Sequence, residues 1–225
     1  MAKPAKWTDI SVSLISIILI IASTAMMFRT GVFSFNIFEA ENMTWYLIRS
    51  SGITAYLMLA ASTIWGLFIS SQFVKDWSPG VVSMAMHSTL SWLAIILTGV
   101  HAGLLMFDHY FAYTIADILI PFRGPYEPFF VGLGTLSMWM LVIIALSFPL
   151  KKRIGHKVWR ALHMTSYLTF GFVTIHGLMA GTDGANTGFR VLVGVAVSIT
   201  VLLLGMRMGK DSAKAAKPTR ASKAS

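Results

Sequence analysis

The sequence predicts an all-α protein, a six-helix transmembrane bundle with both termini on the cytoplasmic side. Apolar residues come in six blocks long enough to cross a bilayer. Charge is scarce, at 12% of 225 residues, and most of the basic residues fall on one side of the alternating spans. Hydrophobic residues make up 56% of the chain and its mean hydropathy is +0.70. A soluble domain of this length needs a more charged surface, whereas runs longer than about 18 apolar residues read as membrane spans.

The first span covers residues 10–28, the second 45–70, the third 81–107, the fourth 129–150, the fifth 158–179 and the sixth 189–208. At 1.5 Å per residue, about 20 residues cross a hydrocarbon core of about 30 Å. The first span opens like a secretory signal, with Lys3 and Lys6 ahead of the apolar run. That run continues to Phe28, beyond an ordinary signal core, so the segment is expected to stay as a helix. Residues 1–209 form the membrane domain, and the basic tail 210–225, rich in Lys, Ala and Ser, is expected to be disordered.

Of the 18 lysines and arginines, 14 lie at the N-terminus, the 71–80 and 151–157 loops with adjoining Arg160, and the end of the sixth span with the tail. Arg29, Arg49, Arg123 and Arg190 lie toward the other face. The positive-inside rule puts the first set in the cytoplasm, which an even number of spans requires. Trp7, Trp77 and Trp159 mark inner span ends and Trp45 an outer one, as interfacial aromatics do. The segment 108–128 is too short to span and is expected to lie along the outer interface. The net charge of +9 is therefore topology rather than a nucleic-acid footprint. There are no cysteines, which excludes disulfides, iron–sulfur clusters and thiolate metal sites.

Ionisable residues inside membrane spans mark functional sites. The third span carries His87 and His101, 14 residues apart, and the fifth carries His163 and His176, 13 apart. Both spans run outward, so His87 and His163 share the inner half, and His101 and His176 the outer. The rises are about 21 Å and about 19.5 Å. Neutral imidazole is a good axial ligand for haem iron, and two imidazoles per iron favour electron transfer over oxygen binding. Fourteen residues return to within about 40° of the starting face of a helix, but 13 miss it by about 140°. A local rewinding of the fifth span, placed at Gly171, would remove the mismatch. Gly99, Gly103, Gly177 and Gly181 leave room beside the histidines, for a porphyrin face or for close helix packing. Thr169, Phe170 and Trp92 lie between the two levels, to fill that gap or to pack elsewhere. Arg49 is expected to pair with an outer haem propionate and Arg160 with an inner one; His109 and His156 read as interfacial.

These residues resemble the ferric reductase-like transmembrane domain family, which includes ferric reductases, NADPH oxidases and the haem subunit of the periplasmic methionine sulfoxide reductase system. The likeness covers about residues 44–185. It rests on Arg49-Ser50-Ser51-Gly52, the His87/His101 pair, Trp159-Arg160-Ala161-Leu162-His163, and the run from His176 through Gly177, Gly181 and Asp183. The resemblance implies two b-type haems, ligated by His87 with His163 and by His101 with His176, in a bacterial cytoplasmic membrane. It implies electron flow from inside to outside, as the membrane module of an oxidoreductase. Residues 209–225 follow the expected sixth span, so the C-terminal flavin and nicotinamide domain of larger family members is not expected, and Gly132-x-Gly134 lies inside the expected fourth span rather than in a dinucleotide-binding turn. The expected donor is a separate cytoplasmic flavoprotein, a bound flavin or a quinol. The expected acceptor is an external molecule or a periplasmic partner protein, and membrane lipid surrounds the chain. The alternatives are a haem subunit of a periplasmic reductase, or a non-haem transport protein, although Asp108, Asp117 and Glu127 all lie outside the spans.

The charge bias makes a direct prediction. Reporter fusions at Ser225 and within residues 182–188 should label opposite faces of the membrane, and labelling of the same face refutes the span count.

Overall fold

The computed structural model describes residues 43–74, 78–108 and 110–215, with side chains as far as Gly209. Contacts divide the chain after Met43. The unit Met1–Met43, and with it the expected first span, lies almost wholly outside the described residues, as does His109. Among the described residues every regular element is a helix: α1 Met43–Ser70, α2 Gly80–Leu104, α3 Ile115–Leu119, α4 Pro128–Ile154, α5 His156–Met164, α6 Ser166–Met179 and α7 Thr187–Ala215. A 3-10 turn, Leu105–Phe107, extends α2, and another, Thr182–Ala185, precedes α7. Among the described residues four helices are long and apolar enough to cross a membrane: Met43–Ser70, Gly80–Phe107, Pro128–Ile154 and Thr187–Gly209. They match the second, third, fourth and sixth expected spans.

The expected fifth span is not one helix. It is two helices, α5 and α6, which meet at Thr165. The Thr165 amide donates to Leu162 O at 3.1 Å, an i−3 bond, and its hydroxyl donates to the same carbonyl at 2.6 Å. In a regular helix that carbonyl accepts the amide of Ser166. A threonine hydroxyl competing for a backbone acceptor tightens and bends the helix there. Gly171, the expected place of rewinding, lies within the continuous α6. At the other end, α7 continues to Ala215, six residues into the expected disordered tail. Lys210, Ala213, Lys214 and Ala215 are good helix formers and extend the helix already nucleated by the span.

α4 is the hub of the fold, packed against α2, α5 and α6. Pro128 opens it, and Lys151, Lys152 and Arg153 in its last turn face the negative end of its dipole. Gly155, at φ +81°, turns the chain into α5; a side chain is strained in that conformation. The core joins Tyr56, Leu59 and Ala60 of α1 to Ala94, Leu141, Phe170, Val193 and Ala196. Tyr56 stacks on Phe170 with ring centres 5.9 Å apart, and its hydroxyl lies 3.3 Å from that of Thr174. Phe170 and Thr169 are therefore interior. Trp92, 51% exposed, faces outward with Val81, Leu146 and Leu202, as lipid-facing side chains do.

The segment after α2 folds against the bundle. Thr114 and Asp117 form a capping box on α3, and Trp139 Nε1 donates to Leu119 O at 2.9 Å. The bonds from Thr114, with Arg123 3.2 Å away, hold the Asp117 carboxyl below the usual range. Phe122 lies on Gly132 of α4, where a Cβ would stand 2.6 Å from the Phe122 backbone nitrogen. Gly132→Ala is therefore expected to lower the melting temperature of the detergent-solubilised protein, through an overpacking cost of about 1–3 kcal/mol. Gly194→Ala, whose added carbon meets nothing within 4 Å, should leave it unchanged. Equal melting of the two variants would count against this packing.

Candidate functional site

α2 is unbroken from Gly80 to Leu104 and carries both His87 and His101, about 21 Å apart along the axis at 14 residues. α5 carries His163 and α6 carries His176. The rings meet in two pairs. His87 and His163 have centroids 6.0 Å apart with planes at 75°; His101 and His176 have centroids 6.2 Å apart with planes at 73°. A metal–imidazole bond is about 2.0 Å and an imidazole nitrogen stands about 1.1 Å from its ring centre, so two rings on opposite sides of one ion have centres about 6.2 Å apart. Both pairs have that spacing. The break at Thr165 lies between His163 and His176, where the 13-residue spacing needs it.

Three of the four rings are oriented in one way. His101 Nδ1 lies 2.9 Å from Ile48 O, His87 Nδ1 lies 3.0 Å from Ser62 O, and His176 Nδ1 lies 3.0 Å from Phe130 O. A carbonyl only accepts, so each Nδ1 carries the hydrogen and the lone pair is left on Nε2. Each acceptor sits four residues before a glycine: Ile48 before Gly52, Ser62 before Gly66, Phe130 before Gly134. In a helix the carbonyl of residue i already accepts the amide of residue i+4, and the side chain at i+4 covers it. Glycine uncovers the second lone pair, and the imidazole lies in the space. A Cβ would come 2.9 Å from His101 at Gly52, 3.1 Å from His87 at Gly66 and 2.8 Å from His176 at Gly134. At His87 a serine pair adds a further link: Ser62 Oγ lies 3.2 Å from Nδ1 and 2.7 Å from Ser91 Oγ.

These glycines were not among the expected site residues, although Gly52 and Gly66 are 14 apart, as are His87 and His101. That shared spacing on two antiparallel neighbours is the signal in the sequence. The glycines beside the histidines do other work. Gly181 closes the turn after α6, where a Cβ would lie 2.3 Å from Gly177 O, and Gly99 and Gly103 would meet nothing within 4 Å.

A cavity opens beside the outer pair, with about 1010 Å³ of atom-free space including its mouth, bordered by Arg49, Gly52, His101, Gly134, His176 and Asp183. Arg49 borders this cavity, and its partner in the structure is Asp183. Nε donates to Oδ2 at 2.8 Å and Nη2 to Oδ1, while the guanidinium lies 4.1 Å from the Trp45 ring centre. Asp183 is 9% exposed, and a buried carboxylate requires such a partner. Arg190 supports the same turn through a 2.6 Å bond to Gly184 O. Arg160 is exposed on α5 and takes part in neither ion pair found among the described residues. His156, also exposed, has its ring 5.6 Å from that of Trp159.

No group of three or more His, Cys, Asp or Glu able to hold a metal ion occurs among the described residues. Each histidine pair supplies two imidazoles at a separation that leaves room for one ion between the rings.

The ion pair across the outer rim should be measurable as coupling. Arg49→Ala and Asp183→Ala should each lower the melting temperature in detergent, and the double variant should lose less than their sum. Strict additivity would mean that the contact does not tie α1 to the turn after α6.

Comparison with family models, with curated proteins and with solved structures finds no match, so the two histidine pairs themselves carry the functional reading.

Proposed function

We propose that this chain is a transmembrane electron conduit that binds two b-type haems, one at each histidine pair, within a six-span bundle whose termini lie in the cytoplasm. The observation that carries the reading is the repeated geometry: two imidazole pairs at ion-bridging separation, with three of the rings held by Nδ1 bonds that leave the Nε2 lone pair for an ion. His87 with His163 would hold the inner haem, and His101 with His176 the outer. A bound haem would supply the four equatorial nitrogens and a one-electron iron couple.

The chain's own contribution is orientation and insulation. The carbonyls of Ile48, Ser62 and Phe130 fix ring direction and strengthen the imidazoles as donors. Tyr56, Leu59, Leu141 and Phe170 exclude water from the core, and the outward apolar faces suit lipid. Lys152, Arg153, Lys157 and Arg160 are exposed around the α4–α5 corner and suit an acidic donor such as a cytoplasmic flavoprotein; a quinol in the membrane is the other donor class. Arg49, released from Asp183 or shared with it, would face an outer propionate. Electrons would then pass from the cytoplasmic side to an acceptor or partner protein outside.

Purified protein should contain about two low-spin haems per chain. His87→Ala and His163→Ala should remove the same haem, and His101→Ala and His176→Ala the other. Gly66→Leu should reproduce the first loss, and Gly52→Leu or Gly134→Leu the second. A haem-free protein, or loss of the same haem from His87→Ala and His101→Ala, refutes the assignment.

A further inference from the structure

His163 lacks the support that the other three histidines share. Among the described residues no hydrogen bond reaches its ring, and no glycine faces it. Its neighbour is Trp159, one turn earlier on α5, stacked on the imidazole with centroids 5.3 Å apart and planes 19° apart. The indole is itself held from α4. Phe148 meets it at 6.2 Å, and the Lys151 ammonium lies 4.0 Å from its ring centre. The turn at Gly155 brings these residues together.

The indole N–H is the second observation. Trp159 Nε1 is buried and has no hydrogen-bond partner among the described residues. Indole nitrogen only donates, and a buried donor left unpaired costs about 1–3 kcal/mol. A donor in that position, with an ammonium against the same ring, suits an anionic oxygen.

We propose that Trp159 is the positioning residue of the inner site: its ring face orients His163, and its indole N–H donates to a carboxylate of the group bound between His87 and His163. This rests on the dihaem reading, in which that carboxylate is a haem propionate. The ring takes the role that a helix carbonyl plays for the other three histidines. The N–H offsets part of the propionate's negative charge and so favours the ferrous state of the iron.

The test uses the full-length holoprotein with two variants and two haems. Trp159→Phe keeps a ring and removes the N–H. It should retain two haems and the wild-type low-spin ferric resonance of the inner haem, whose shape reports imidazole orientation, while the inner midpoint potential falls and the outer does not move. Trp159→Ala should alter that resonance or lose about one haem per chain. Reconstituted with haem whose propionates are esterified, wild type and Trp159→Phe should have equal inner midpoints. A Trp159→Phe protein with the wild-type midpoint overturns the donor role. A difference that persists with esterified haem overturns the propionate as partner and points to a lipid phosphate. An unchanged inner resonance in Trp159→Ala overturns the positioning role. Should Trp159→Ala fail to fold, the Trp159→Phe and esterified-haem results still decide the donor role. Two haems with these failures leave the conduit standing, whereas a wild-type chain without haem overturns the conduit and this role with it.

Discussion

The site depends on one arrangement, a helix carbonyl that accepts two hydrogens at once. The carbonyls of Ile48, Ser62 and Phe130 stay in their own helices, each with its amide four residues on, and also receive an imidazole N–H. Such a bond contributes about 0.5–1.5 kcal/mol to folding. Its effect is on geometry. It fixes which nitrogen bears the hydrogen, which way the ring faces, and how close the two backbones stand. Because a side chain at i+4 would cover the acceptor, the arrangement also dictates glycine at 52, 66 and 134.

Register follows from that requirement. On antiparallel neighbours, contacts that recur 14 residues apart on both helices keep a constant sum of residue numbers: Gly52 with His101, Gly66 with His87. α1 and α2 satisfy this over almost four turns, so both remain unbroken. The other side cannot do the same. His163 and His176 are 13 apart, and a continuous helix would turn one of them away from α2. Thr165 resolves the conflict by taking the Leu162 carbonyl for its own hydroxyl and amide. The break is the consequence of serving a straight partner helix with an unequal spacing.

The helical class, four apolar helices of span length and which histidines meet were legible in the sequence, because hydropathy and residue spacing report them directly. The need for an irregularity between His163 and His176 was legible too, but its place was not. Glycine looks like the weak point of a helix, whereas the feature that breaks this one is a side-chain hydroxyl competing for a carbonyl, which depends on rotamer rather than composition. Gly52, Gly66 and Gly134 were visible, but that they face histidines was not, because a glycine's role depends on what lies opposite it. Asp183 was hidden for the same reason: it is 134 positions from Arg49, and no local pattern joins them.

The two levels are built from different materials. In the outer pair both rings are anchored to backbone carbonyls, and the rim is closed by the Arg49–Asp183 pair. In the inner pair one ring has a carbonyl and a serine network, while the other rests on an indole at the junction of α4 and α5. A backbone carbonyl moves only with its helix. An indole moves with its own side-chain torsions and with the basic corner that clamps it, from Lys151 through Gly155 to Trp159. The His87–His163 pair is thus joined through Trp159 to the surface that carries Lys152, Arg153, Lys157 and Arg160, whereas both rings of the His101–His176 pair are held by backbone. A charged molecule docking at that corner would act on His163 through Trp159 before it reached any of the other three rings.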